Sequence, residues 1–167
     1  MSGSEICWAV LPPEMRARWI AHSRALLDSY RQLTGEELIA RSADPQEEAE
    51  RLFLAPMVVV SHGGESDPIL NYGNRAALRL WEMEVENFIA TPSRLTAEPE
   101  QREARARFLE EAERKGFVTG YEGIRISSAG RRFRISGATV WSVTTPDGEV
   151  IGQGATFSRW EDVASPA

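Results

Sequence analysis

The sequence predicts an α+β domain: a five-stranded antiparallel sheet with helices mostly on one face and a helical extension in front of it. Three observations carry this. The last third alternates apolar and polar residues through Gly120–Ile135, Thr139–Val143 and Ile151–Phe157, with a turn at Pro146-Asp147-Gly148. That is the pattern of a three-strand meander with one apolar face, which needs a covering layer. Met57-Val58-Val59-Val60 and Ile69-Leu70-Asn71-Tyr72 are two further short apolar runs, separated by a loop at His62–Pro68. Met15, Trp19, Leu26, Tyr30 and Leu33 recur at helical spacing, with His22 or Ser23 completing the stripe, well before any strand.

The elements follow in chain order. Residues 1 to 11 carry no clear pattern, and Pro12-Pro13 opens the first helix. Thr34 with Glu37 has the spacing of a capping box for a short second helix. Asp44-Pro45 with Glu47 repeats the signature for a third, which turns Ala49, Leu52 and Phe53 inward and stops at Ala55-Pro56. After the two short strands, Asn74 caps a helix from Arg75 to Trp81. Thr91-Pro92-Ser93 and Glu98-Pro99 mark turns. A charged helix from Glu100 to Lys115 places Ala104, Phe108 and Ala112 on one side and ends at Gly116. The divisions expected are a helical extension over 1–56, a sheet domain over 57–162 and a tail over 163–167.

Bulk properties narrow the function. A length of 167 residues fits one domain with a real core. A net charge of -6 speaks against a nucleic-acid binder, which needs a basic face for phosphates. No apolar run is long enough to span a bilayer and no signal peptide is visible, so no membrane association and a cytoplasmic location are expected. Cys7 is the one cysteine, which excludes an intrachain disulfide. With His22 and His62 the only histidines, there is no zinc or haem signature and no metal site is expected. No Gly-rich phosphate loop, Ser-His-Asp order or paired-carboxylate motif is present, so no catalytic residue is assigned.

Two strands, a short helix opening with Asn74-Arg75-Ala76-Ala77, further helices and a closing meander resemble the order of a PAS domain. Five segments resemble the MEKHLA family more closely. They are Ala17-Arg18-Trp19-Ile20, Asn74–Leu78, Gly123–Arg131, Val140-Trp141 and Phe157-Ser158-Arg159-Trp160. This PAS-related family occurs at the C-terminus of plant class III homeodomain–leucine-zipper factors and as free-standing bacterial proteins. The resemblance implies a PAS-like sheet, a cavity between sheet and helices, and a sensory or small-molecule-binding role.

Strand parity singles out Gln153, which shares a face with Ile151, Ala155 and Phe157 and so turns an amide toward the core. Its partner would be a ligand, a backbone group or a buried water. In flavin-binding PAS domains a last-strand glutamine plays such a part, but no cysteine lies in the middle helices for adduct chemistry; the cofactor stays unknown. Phe133, Ile135, Thr139, Trp141 and Val143 are expected on one face of their strand. Trp81, Leu95, Phe133, Trp141, Gln153 and Phe157 are the expected ligand-binding set. Arg132 and Arg134 are expected on a solvated sheet edge with Arg131 at the turn, or at a site for an anion or an acidic partner.

The stripe Met15, Trp19, Leu26, Tyr30, Leu33 packs on its own sheet or forms an interface in a homodimer or with a protein partner. The leading expectation is a PAS-like sensor acting through protein interaction or dimerisation in signal transduction. A ligand-free interaction domain is the second reading. A small cone-fold enzyme with His62 or Asp67 as base is the third, against the simpler view of both residues as a polar turn.

Overall fold

The computed structural model describes residues 6–164. The first five residues and residues 165–167, most of the expected tail, lie outside the described range. A single 3-10 turn, Trp8–Val10, precedes α1 (Pro13–Thr34). Helix α1 starts on a proline, as its sequence predicts, and ends at Gly35, whose φ of 78° is a left-handed conformation that suits glycine. Helix α2 (Pro45–Leu54) is capped by Asp44, whose carboxylate accepts from the Gln46 N–H at 3.0 Å. It turns Ala49, Leu52 and Phe53 into the core, all fully buried.

The short helix expected after Thr34 does not form. Thr34 is the last residue of α1, and its hydroxyl donates to the Tyr30 carbonyl at 2.7 Å and accepts from the Glu36 N–H at 3.1 Å. A hydroxyl used to close one helix cannot cap the next. The connection is held instead by Arg41, which bonds Glu48 at 2.7 and 3.1 Å and Asp28 at 2.7 Å. Glu48 is only 2% exposed. Burial pushes its pKa up, but the Arg41 guanidinium and the Ser42 N–H more than offset this and hold it below the ordinary range.

The sheet comprises β1 (Val58–Gly63), β2 (Leu70–Gly73), β3 (Phe117–Ile126), β4 (Arg132–Thr144) and β5 (Val150–Phe157), in the order β2-β1-β5-β4-β3. Its named pairings are antiparallel, and all five expected strands are present. A sixth strand, β6 (Arg159–Asp162), pairs with the first half of β4. The register Phe133↔Asp162 to Ser136↔Arg159 places this half between β3 and β6. Arg132 and Arg134 therefore do not lie on a free edge. Arg132 meets Glu98 at 2.9 Å, Arg134 approaches Glu161 at 3.8 Å, and Arg131 meets Asp162 at 2.7 Å.

Helices α3 (Arg75–Trp81), α4 (Val85–Phe88) and α5 (Pro99–Lys115) cover one face of the sheet, and α1 covers the other. On the α1 face the Trp19 ring sits 4.6 Å from Tyr72 and its N–H donates to the Asn71 carbonyl at 3.0 Å. The Trp141 N–H donates to Ser29 Oγ at 3.0 Å, and Tyr30 meets the Trp141 ring edge-on at 5.0 Å. Gly154 leaves room for that indole: a Cβ there would lie 2.7 Å from it.

Simple alternation put Phe133, Ile135, Thr139, Trp141 and Val143 on one face, and the structure divides them. The pairs Ile135↔Gly123 and Ala138↔Tyr121 advance three residues along β4 for two along β3. Gly137, at φ 66°, is the extra residue, and such a bulge inverts the alternation beyond it. Ile135, Ala138 and Val140 consequently face α3–α5, and Trp141 faces α1.

His22 lies in this α1 layer and makes stability pH-dependent. Ser61 spends its hydroxyl proton on Asn71 Oδ1 at 2.5 Å, so it accepts from His22 Nε2 at 2.8 Å. Burial lowers the His22 pKa to about 4. The unfolded chain takes up a proton below about pH 6.5 and the folded chain does not, so stability falls as pH drops from about 6.5 toward 4. Chemical denaturation across that range is expected to show a loss of about 2–3 kcal/mol that His22→Asn largely removes. An unchanged pH slope in the variant would assign the loss to other groups.

Candidate functional site

The face covered by α3–α5 holds a partly open cavity of about 50 Å³. The pleat selects its walls. Val60 and His62 come from β1, Ile135, Ala138 and Val140 from β4, and Gln153, Ala155 and Phe157 from β5. Trp81, Phe88, Phe108 and Leu109 close it from the helices, with Ser93 and Thr96 from the 3-10 turn Ser93–Thr96. At roughly 10–15 Å³ per water, the cavity has room for a handful of waters or one very small molecule.

The lining is mostly apolar, with polar groups concentrated in one cluster. His62 Nδ1 lies 3.0 Å from the Gly63 carbonyl, an acceptor, so this nitrogen carries the proton of the neutral ring. Nε2 is then a buried acceptor; the Gln153 side chain lies close to it, but no group among the described residues bonds it with good geometry. Burial lowers the His62 pKa, and nearby Arg105 acts in the same direction. The Trp81 indole N–H is likewise buried and without a partner among the described residues. Gln153, the cross-strand neighbour of His62, donates to the Leu109 carbonyl at 2.8 Å. Its amide N–H thus finds a backbone partner.

Two arginines complete the cluster. Arg125 on β3 is 5% exposed; it donates to Tyr121 Oη at 2.5 Å and to the Ile124 carbonyl at 3.3 Å. Its guanidinium carbon sits 5.0 Å from the centre of the Tyr121 ring. Arg105 on α5 donates to Ser93 Oγ. Burial and the neighbouring Arg125 charge lower the Arg105 pKa to about 10, so it remains a cation at neutral pH. Burial also lowers the Arg125 pKa. Among the described residues neither arginine has a carboxylate within ion-pair distance, whereas Arg41, Arg94 and Arg132 each do.

The structure distributes the expected site residues as follows. Trp81, Gln153 and Phe157 line the cavity. Phe133 is fully buried behind Trp81, ring to ring at 5.4 Å. Leu95 is 41% exposed, on the outside of its turn. Trp141 lies on the opposite face under α1, because the bulge at Gly137 inverts its parity. Met15, Trp19 and Leu26 are buried within this chain, and Tyr30 and Leu33 are half-buried against its core. His62 belongs to β1, and Asp67 faces outward to Arg94 at 3.2 Å.

Arg105, Tyr121 and Arg125 escaped the sequence reading. Tyr121 and Arg125 are four apart on a strand and so share its inward face, which is the signal that was present. Arg105 hid behind its neighbour Ala104. Seven residues separate Arg105 from Ala112, about 700° of helix, so the two lie about 20° apart around the axis, whereas Ala104 lies about 80° away. Ala104 is accordingly exposed, and Arg105, Phe108 and Leu109 reach the cavity.

This architecture is that of a PAS domain. The chain resembles the PAS domain of a protein from Colwellia psychrerythraea at 17% identity and a TM-score of 0.59, covering 71% of this chain and 95% of that one. It resembles a light-oxygen-voltage domain studied with a flavin analogue at 14% identity and a TM-score of 0.56, covering 71% and 85% of the two chains. An RNA-binding light-oxygen-voltage receptor matches at 19% identity and a TM-score of 0.57, covering 76% of this chain and 35% of the receptor. No curated protein matches the chain in sequence. The MEKHLA domain model matches residues 20–162, and the chain belongs to that family. Among the described residues no helix is long and apolar enough to cross a membrane.

Proposed function

We propose that the chain is a PAS-like sensory module that binds a small molecule in the cavity between its sheet and α3–α5. The observation that carries this is the pair of buried polar atoms there that no group among the described residues bonds with good geometry, His62 Nε2 and the Trp81 indole nitrogen. Buried polar atoms are nearly always bonded, and an unmet one costs about 1–3 kcal/mol, so a pair on one cavity suits a bound molecule. Flavin, studied in one of the similar domains, does not fit these residues. A cavity of about 50 Å³ is far below the roughly 300 Å³ of the smallest typical cofactor-sized sites.

Occupancy would be reported through β1. Val60 and His62 face the cavity, while Ser61 between them bonds His22 on α1. A shift of this strand reaches α1 with no intervening layer, and the exposed side of α1, along Arg18, Ala21, Arg24 and Asp28, is where a dimer or a protein partner would be engaged.

The test is a small-molecule screen by thermal shift beside native mass spectrometry of gently purified protein. A stabilising compound or a stoichiometric extra mass is expected, and Ala138→Leu, which fills the cavity, is expected to abolish either. Binding that survives Ala138→Leu unchanged would place the ligand elsewhere.

A further inference from the structure

The cavity cluster has more positive charge than the fold uses. Arg125 is buried against Tyr121, whose hydroxyl offers a dipole and no charge. Arg105 reaches the same cavity with a serine hydroxyl as its partner. Of the five N–H donors on each guanidinium, Arg125 has two bonded and Arg105 one, among the described residues. Buried charges are ordinarily paired with an opposite charge, as buried Glu48 is with Arg41 in this chain. Two like charges facing one small cavity repel each other and gain only when an anion lies between them.

We propose that the molecule this cavity takes is a small carboxylate, its head group held by Arg105 and Arg125 and its short carbon chain against Trp81, Phe88 and Phe157. This rests on the reading of the cavity as a binding site and names the ligand's chemistry. The volume, about 50 Å³, admits a head group with a few carbon atoms. A planar carboxylate matches the forked donors of a guanidinium. The apolar walls favour a ligand with a carbon chain over a bare inorganic oxyanion, which would leave them without contacts.

The test is thermal denaturation of the full chain at fixed ionic strength with acetate, propionate, their neutral amides acetamide and propionamide, and nitrate. Acetate or propionate at about a hundred times its dissociation constant is expected to raise the melting temperature by roughly 5–10 °C, with the amides inert. Arg125→Met and Arg105→Met are each expected to weaken carboxylate binding more than tenfold. Arg125→Met is also expected to keep the free protein folded, because the unpaired buried charge it removes offsets the lost bond to Tyr121. Arg105 is half-buried on a helix, so its variant folds even where the Arg125 variant does not. Equal shifts by amides and carboxylates, or undiminished carboxylate binding in Arg105→Met, would overturn the anion assignment and leave the cavity reading standing. Nitrate binding without carboxylate binding would overturn it in favour of an inorganic anion. No shift with any of these compounds, together with a screen that Ala138→Leu does not alter, would remove both readings.

Discussion

Asn74→Asp is expected to lower the melting temperature by about 8–20 °C. Asn74 is fully buried and makes four hydrogen bonds to four different backbone groups. Its Oδ1 accepts from the Val59 N–H at 3.1 Å and the Ala77 N–H at 3.2 Å. Its Nδ2 donates to the Met57 carbonyl at 2.8 Å and the Leu52 carbonyl at 3.3 Å. One amide thus ties the end of α2, the entry to β1, β1 itself and the start of α3. Aspartate keeps the size but turns an acceptor toward two carbonyl oxygens in a fully buried site. Two lost bonds plus the burial of a carboxyl amount to about 4–5 kcal/mol, and each kcal/mol shifts the melting point of a chain this long by about 2–4 °C. The loss is expected to be smaller at pH 4, where protonation returns one donor. A drop under about 4 °C at pH 7 would mean that the four bonds matter little.

The second large effect is expected at Gly152, in the β1–β5 seam beside the cavity. A Cβ at this position would lie 2.0 Å from the His62 carbonyl oxygen, a backbone atom that cannot swing aside. Gly152→Ala is expected to cost about 3 kcal/mol or more, since overpacking that moves backbone sits at the top of its usual range. His62 and Gln153 face each other across this seam, so prising it open also disturbs the cavity's polar cluster. Gly148→Ala is the control: no atom lies within 4 Å of a Cβ there, and only its φ of 86° resists a side chain. A Gly152→Ala loss no larger than that of the Gly148 variant would show that the strands separate freely.

These residues also show how far the sequence could be read. The strands, the Asp44 cap and the Asn74 cap were legible because alternation and capping are local rules, and each is met by neighbours in the chain. The Thr34 cap failed because Thr34 and Glu37 have the right spacing but Gly35, between them, ends α1. Half of the expected ligand set lines the cavity. Trp141 was lost to an insertion that parity cannot see, and Leu95 to a turn too short to have a periodic face. Arg105 and Arg125 were illegible for a different reason. Rules of composition place cations outside, and only the assembled layers reveal two of them turned inward without carboxylates.

The bulge at Gly137 divides β4 into two lengths that serve different neighbours. Before it the strand lies between β3 and β6, and beyond it between β3 and β5. It acts as a frame shift written into a single strand, and the side chains from Ala138 to Val143 are read in the other frame. Deleting that one residue would send Trp141 into the cavity and Val140 under α1.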